Sequence, residues 1–370
     1  MAGRTAGGHF ARAQSFQMNR LLMPFASLYG LAARLRRHAY RRGWLESRRL
    51  SKPVISVGNL TLGGSGKTPL VAYIVRLLAR NGYKPSVLTR GYGRDRGMDI
   101  IALDPEPNRV PDPRSVGDEP ALLARALPEV PIVICSDRYR AGRLAEERYG
   151  VDVHILDDGF QHLSLARDID LVAVDLTRDL LHESLLPAGR MREPASALAK
   201  ADLIVLTRSE ISDAASLEKH VRRINSDAPI FRCETSLLNL AELGGKREID
   251  PAEYQGRPVC AFCAIGNPAA FFTNLRQWGF HLVAEIAFRD HHVYRASDLH
   301  RVGKTAREKG AAALITTAKD VMNLSPHLPF ALPVLACVIQ AKILDAERFE
   351  KVLLAGLSSN QLPSRVVLQT

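Results

Sequence analysis

Val57-Gly58-Asn59-Leu60-Thr61-Leu62-Gly63-Gly64-Ser65-Gly66-Lys67-Thr68-Pro69 joins an apolar run to an amphipathic one through a glycine-rich turn. Residues 53–60 read as a buried strand, and residues 69–80 place Leu70, Ile74, Leu77 and Leu78 on one face of a helix. Between them, the glycines around Ser65 let backbone N–H groups converge on a phosphate, and the helix N-terminus adds partial positive charge. Lys67 can reach the β and γ oxygens, and Thr68 offers a hydroxyl to Mg2+. The turn therefore predicts a nucleotide site for ATP with Mg2+, built from Gly63, Gly64, Ser65, Gly66, Lys67 and Thr68. Thr61 stands where the strict phosphate-loop pattern has its first glycine, so the form here is the G-G-x-G-K-T variant.

A second strand bearing carboxylates is needed to hold the metal or orient its waters. Val151-Asp152-Val153-His154-Ile155-Leu156-Asp157-Asp158 supplies it, with paired acids at a strand end, where doubly wound sheets place ligands. Further strands are expected at 86–89, 131–135, 169–175 and 202–207, with helices at 119–127 and 140–149 among them. That alternation specifies a P-loop α/β fold with a doubly wound, mostly parallel sheet over residues 51–230. From 231 to 370 the pattern restarts as a second, smaller α/β domain. Its expected strands are 259–265, 281–288, 313–317 and 334–338, and its expected helices 268–278 and 297–309.

Of the 370 residues, 50 are Lys or Arg and 39 Asp or Glu, and the excess is local. Residues 1–52 hold 11 basic residues against one acid, Glu46, whereas the remainder holds 39 against 38. A near-neutral body argues against a nucleic-acid groove, and a basic N-terminal segment suits anionic headgroups. Met18, Leu21, Leu22, Phe25, Leu28, Tyr29, Ala32 and Leu35 recur at helical spacing, followed by arginines. The uncharged run is shorter than the roughly 20 residues a spanning helix needs. Residues 16–50 are thus expected to form a basic amphipathic helix on a membrane surface, after a disordered tail at 1–15. Packing on the body and a signal peptide are the competing readings. The five scattered cysteines read as reduced, buried thiols; Cys260 and Cys263 form a lone C-x-x-C with no second ligand pair.

Several segments in order carry a family resemblance. Beyond the phosphate loop they are Thr89-Arg90-Gly91-Tyr92-Gly93, Val116-Gly117-Asp118-Glu119-Pro120 and Leu156-Asp157-Asp158-Gly159-Phe160-Gln161-His162. Later come Leu186-Pro187-Ala188-Gly189-Arg190-Met191-Arg192-Glu193-Pro194, Asp290-His291-His292 and Thr316-Thr317-Ala318-Lys319-Asp320. The chain resembles the tetraacyldisaccharide 4'-kinases, which phosphorylate the 4'-hydroxyl of a lipid A disaccharide precursor. The resemblance implies a kinase at the cytoplasmic face of the bacterial inner membrane, with that precursor and the membrane surface as partners and no obligate protein partner. It implies Asp118 as general base with His291 beside it, and Lys67 as a catalytic cation. Arg90, Arg138 and Gln161 are implied to meet substrate, Arg90 also the nucleotide, and Thr68, Asp157 and Asp158 the metal. Arg190 and Met191 replace the family's usual Pro-Leu, and Ala318 stands where an acid is common.

The alternative is a membrane-surface switch ATPase or GTPase of the partitioning or cofactor-maturation type. Those proteins place a lysine where this chain has Leu62.

Overall fold

The computed structural model describes residues 7–92, 94, 99–107, 111–180, 182–243, 248–324 and 332–359. Its elements run α1 (Gly7–Arg41), β1 (Val54–Asn59), α2 (Lys67–Arg80), β2 (Pro85–Thr89), β3 (Ile100–Leu103), α3 (Pro113–Val116), α4 (Asp118–Ala126), β4 (Ile132–Cys135), α5 (Arg138–Tyr149), β5 (Val153–Asp157), β6 (Ile169–Asp175) and β7 (Leu203–Thr207). They continue α6 (Ala215–Ile224), β8 (Ile230–Glu242), β9 (Glu248–Ile249), β10 (Pro258–Cys263), α7 (Pro268–Gln277), β11 (His281–Ala287), α8 (Ala296–Glu308), β12 (Ala313–Thr317), α9 (Ala318–Val321), β13 (Val334–Ile343) and α10 (Ala346–Ser359).

Strands β1, β2, β5 and β7 are buried at every position, as a parallel sheet covered on both faces requires. On α2, Leu70, Val71, Ile74, Val75, Leu77 and Leu78 are buried against them, each contributing about 1.5–3 kcal/mol when fully withdrawn from water. The left wing reads β7-β6-β1-β5-β2-β4-β3, parallel except for β3. The right wing reads β11-β10-β12-β13 and is parallel throughout.

One ribbon makes the two wings a single 13-stranded sheet. The long strand β8 pairs in parallel with β7 only over Ile230 to Cys233. It then runs antiparallel to β13, from Cys233 opposite Ile343 to Glu242 opposite Leu335. The right wing joins at the other end of that ribbon, where β12 pairs with β13 over Val334 to Cys337. Antiparallel pairing reverses the right-wing strands, so the C-terminal edges of both wings face each other across a cleft.

The expected second domain of 231–370 ends differently from its reading. Helix α10 returns to the left wing, where Phe349 meets Phe231 and Tyr73 edge to face at 5.1 and 5.9 Å. Sequence patterning also passed over β3, α6 and the full lengths of β8 and β13. At the other terminus, α1 is already helical from Gly7, so the tail expected over 1–15 is corrected there; residues 1–6 lie outside the described residues. Among the described residues no helix is long and apolar enough to cross a membrane.

All five cysteines are buried free thiols. Cys260 and Cys263 project to opposite faces of β10, one into each of the two cores that flank the right wing. An i, i+3 pair on a strand cannot converge on one ion.

Candidate active site

The left-wing strand ends carry the phosphate loop and its supports. Gly63 and Gly66 adopt positive φ, 95° and 76°, which lets the loop close tightly before α2. Asn59, the last residue of β1, organises the loop from beneath: its Nδ2 donates to Ser65 Oγ at 2.8 Å and to the Thr61 carbonyl at 2.8 Å. Its Oδ1 accepts from Lys67 Nζ at 2.8 Å and also from Arg192. Thr207 Oγ1 holds the Ser65 carbonyl at 3.0 Å and Arg208 the Gly64 carbonyl at 2.7 Å. Arg208 is itself paired with Asp175, at the end of β6.

The paired acids at the end of β5 have different surroundings. Asp158 lies 2.8 Å from Lys67 Nζ and takes a two-pronged contact from Arg192 at 2.6 and 2.7 Å. Burial alone would raise its pKa; the Lys67 charge and Arg192 reverse that and hold the carboxyl well below the usual range. Asp157 is fully enclosed and has Thr89 Oγ1 as a donor at 3.2 Å. Burial first, then the charges of Glu119 and Asp158, push its pKa up. The Asp157 carboxylate and the Thr68 hydroxyl, in the first turn of α2, are oxygen donors of the kind Mg2+ takes.

Arg138 opens α5 and is buried, donating to the Ser136 carbonyl at 2.8 Å while its Nε has no partner. Burial and the charge of Arg90 both work against its own charge. Arg90 follows β2 and is exposed. Two neighbouring guanidiniums, one with an unanswered buried donor, suit an anion. Gln161 Nε2 donates to the Asn59 carbonyl at 2.8 Å, and its Oε1 is unpartnered.

The right-wing edge closes on this from the other side. Gly266 presses onto the phosphate loop so closely that a Cβ there would meet Gly64 N at 2.4 Å and Gly63 Cα at 2.8 Å. Its carbonyl accepts from Arg178 at 2.6 Å, and Asn267 Nδ2 donates to Thr177 Oγ1 at 2.7 Å. Asp118, the first residue of α4, receives His291 Nδ1 at 3.2 Å and Asn323 Nδ2 at 3.3 Å on the same oxygen. Burial opposes ionisation of Asp118, but these bonds and the Lys319 charge outweigh it and lower its pKa. The bond to Asp118 raises the pKa of His291, against burial and Lys319.

Among the described residues, Asp158, Arg208 and His291 are the non-glycine residues with positive φ, at 53°, 63° and 59°. Such strain gathers where a site over-determines the backbone. Asn59, Arg178, Arg192, Gly266 and Asn323 had no role in the sequence reading. Arg192 and Asn59 lay within quoted motifs, and nothing local marked the others. Gly93 lies outside the described residues. Met191, a departure from the family pattern, is buried in the core beside β6 and β7, and the adjoining backbone pairs with the phosphate loop through Leu62 N to Arg190 O at 2.7 Å.

A glycine loop between β1 and α2, a lysine on its first helical turn and carboxylates at the adjacent strand end define an α/β nucleotide-binding protein of the P-loop class. Residues 18–358 match the family model described as tetraacyldisaccharide-1-P 4'-kinase. Tetraacyldisaccharide 4'-kinase of Geobacter metallireducens is 41% identical over 332 residues, covering 89% of this chain and 96% of that one. That of Geobacter sulfurreducens is 40% identical over 358 residues, covering 95% and 97%. Among solved structures, LpxK from Aquifex aeolicus in complex with ATP aligns with TM-score 0.73 at 32% identity, over 92% of this chain and 99% of that one. The chain belongs to the tetraacyldisaccharide-1-phosphate 4'-kinase family, and is an ATP-dependent kinase.

Proposed function

We propose that the chain transfers the γ-phosphate of ATP to the 4'-hydroxyl of a tetraacyldisaccharide 1-phosphate, with Asp118 as the base. The observation that carries the reading is the bonding of Asp118, at the start of α4 in the nucleotide-bearing wing, to His291 and Asn323 of the other wing across the cleft, at 3.2 and 3.3 Å. Asp118 is kept ionised, and only one of its oxygens is engaged by His291 and Asn323. A carboxylate oriented in this way can take the hydroxyl proton as the oxygen attacks.

Thr68 and Asp157 would hold Mg2+, while Asp158 fixes Lys67. Magnesium bound there supplies charge neutralisation for the phosphates. Lys67 sits at the helix N-terminus to meet phosphate oxygens, and Arg138, Arg90 and Gln161 present donors and an acceptor to the sugar and its anionic groups. A switch-ATPase reading gains nothing from the site, since Leu62 replaces the characteristic lysine and its N–H is committed to the Arg190 carbonyl.

Helix α1 supports a peripheral position on an anionic membrane, at the cytoplasmic face of the bacterial inner membrane. Its small residues Ala26 and Gly30 pack on the body, while Leu21, Phe25, Leu28 and Leu35 line the opposite face, Leu21 being 77% exposed. Such an apolar stripe flanked by arginines suits a lipid interface. Transfer of labelled phosphate from ATP to the disaccharide lipid in detergent tests the activity; no product from the intact protein would overturn it. Replacing Leu21, Phe25 and Leu28 by serine should reduce binding to anionic vesicles and leave ATP binding unchanged, and equal vesicle binding would remove the membrane role.

A further inference from the structure

His291 is contacted on both ring nitrogens, and the two partners differ in kind. Nδ1 faces Asp118 Oδ2 at 3.2 Å, and Nε2 faces Lys319 Nζ at 3.4 Å. The carboxylate nearest Nε2, Asp290 Oδ1, is farther away at 3.9 Å and is itself engaged by Lys319 at 3.3 Å. An ammonium group has only donors, so Nε2 can bond to it only through its lone pair. The single proton of a neutral ring then sits on Nδ1, where Asp118 accepts it. An imidazolium would instead turn an N–H toward the lysine.

Lys319 is held in place by its chain neighbour. Asp320 is buried and accepts from Ala264 N at 2.8 Å, Tyr294 Oη at 2.8 Å and Thr317 Oγ1 at 2.6 Å, which ties the start of α9 to the end of β10. His291 is tied to the same place, its N–H donating to the Ala264 carbonyl at 3.3 Å from a left-handed backbone conformation. Both partners of the Lys319 contact are therefore anchored at one point of the right wing, and Asp118 arrives from the left.

We propose that Lys319 is a positioning residue for the phosphoryl transfer: it fixes His291 as the neutral Nδ1–H tautomer, which in turn orients the Asp118 carboxylate. His291 and Asn323 both occupy Asp118 Oδ2, so Oδ1 is the oxygen turned toward the acceptor hydroxyl. In the transfer that hydroxyl proton passes to Oδ1 as its oxygen bonds to phosphorus and the bond to the leaving diphosphate breaks. The proposal rests on the reading of Asp118 as the base. The charged and titratable groups facing His291 are Asp118 on α4, Lys319 on α9, Asp290 beside it in the chain and the Tyr92 ring, centred 6.1 Å away. Of the three with charge, Lys319 alone opposes the imidazolium.

The test compares Lys319→Met with Lys319→Arg. In the methionine variant His291 loses the cation that limits its protonation. The acid limb of the kcat profile should move up by about one pH unit, with kcat falling about tenfold on the acid side of both limbs and the KM for ATP within about twofold of wild type. Lys319→Arg should bring the limb back most of the way. Nitrogen NMR of the His291 ring in the resting protein above its titration should show the proton on Nδ1, and in Lys319→Met a shift toward Nε2. An unmoved limb with an unchanged tautomer overturns the proposal whatever the loss of rate, as does a raised KM for ATP with an unmoved limb. Asp118→Asn turning over at the wild-type rate would instead remove the base assignment, and the tautomer measurement would still stand by itself.

Discussion

The cluster around Lys67 and the junction around His291 are both made of charged groups at strand ends, yet they are built to different tolerances. Around Lys67 the partners all belong to the left wing and its loops, and the contacts to Asp158 measure 2.6 to 2.8 Å. At His291 one partner is across the cleft, Asp118 at 3.2 Å, and the other is in its own wing, Lys319 at 3.4 Å, with Asn323 reaching Asp118 from the same side at 3.3 Å. Groups fixed by one sheet can be preorganised before any ligand arrives. Groups on two wings meet only as well as the wings close, so the cleft itself becomes an adjustable part of the site.

The sharpest way to separate the two regions is to remove one member of each. Lys67→Ala should cost about 10³-fold or more in kcat, because it removes the cation at the α2 N-terminus that meets the phosphates. Thermal unfolding should stay close to wild type, since Arg192 still pairs with Asp158. A kcat within tenfold of wild type would mean the left-wing cluster is structural. Gly266→Ala attacks closure instead: the added Cβ has no room against Gly64 N, so the wings must part. A loss of about tenfold in kcat with an unchanged near-native Tm is expected, and full activity would show that the wings need not meet there.

A third change probes how the N-terminal helix reaches the tighter region. Arg37 bonds Glu193 at 2.6 Å and lies over the Phe160 ring at 4.8 Å, while Tyr29 Oη donates to the Arg192 carbonyl at 3.0 Å and Arg36 to the Gln161 carbonyl at 3.2 Å. These contacts land on the loops that carry Arg192 and Gln161. Arg37→Ala leaves the buried Glu193 unanswered and should destabilise the fold by about 1–2 kcal/mol in denaturant unfolding. No change in the midpoint would mean that α1 is a loosely attached appendage.

The smallest effect concerns pH at the junction. The folded pKa of His291 lies above its unfolded value near 6.5, so its favourable contact with Asp118 is complete below that value. The charge-assisted part of that contact is lost as pH rises through the raised value, and the neutral Nδ1–H bond to Asp118 remains. Amide exchange around residues 289–292, corrected for intrinsic rates, should therefore rise modestly between about pH 6 and pH 8.5. Slower exchange at the higher pH would contradict the raised pKa.

Much of this was legible because it is local. A strand, a glycine turn and a helix are neighbours in sequence, so β1, the phosphate loop and α2 follow from spacing alone, and so do the acids ending β5. The basic segment was legible as a helix, although its reach down to Gly7 was not. The return of α10 to the left wing was hidden because an amphipathic pattern says that a face is buried and not against what. Asn59 and Arg192 were visible as letters in motifs, but their shared hold on Asp158 and Lys67 joins residues far apart in the chain.

By itself the sequence determined the nucleotide loop, the mostly parallel sheet and the family, because each depends on short-range pattern or on ordered motifs. Only the tertiary structure decided that the two C-terminal strand edges face each other. That depends on which ends of β8 and β13 pair with each wing, a matter of register between strands widely separated in sequence. The same pairing brings Asp118, His291 and Lys319 to one point, since hydrogen-bond geometry is a property of space and not of spacing along the chain.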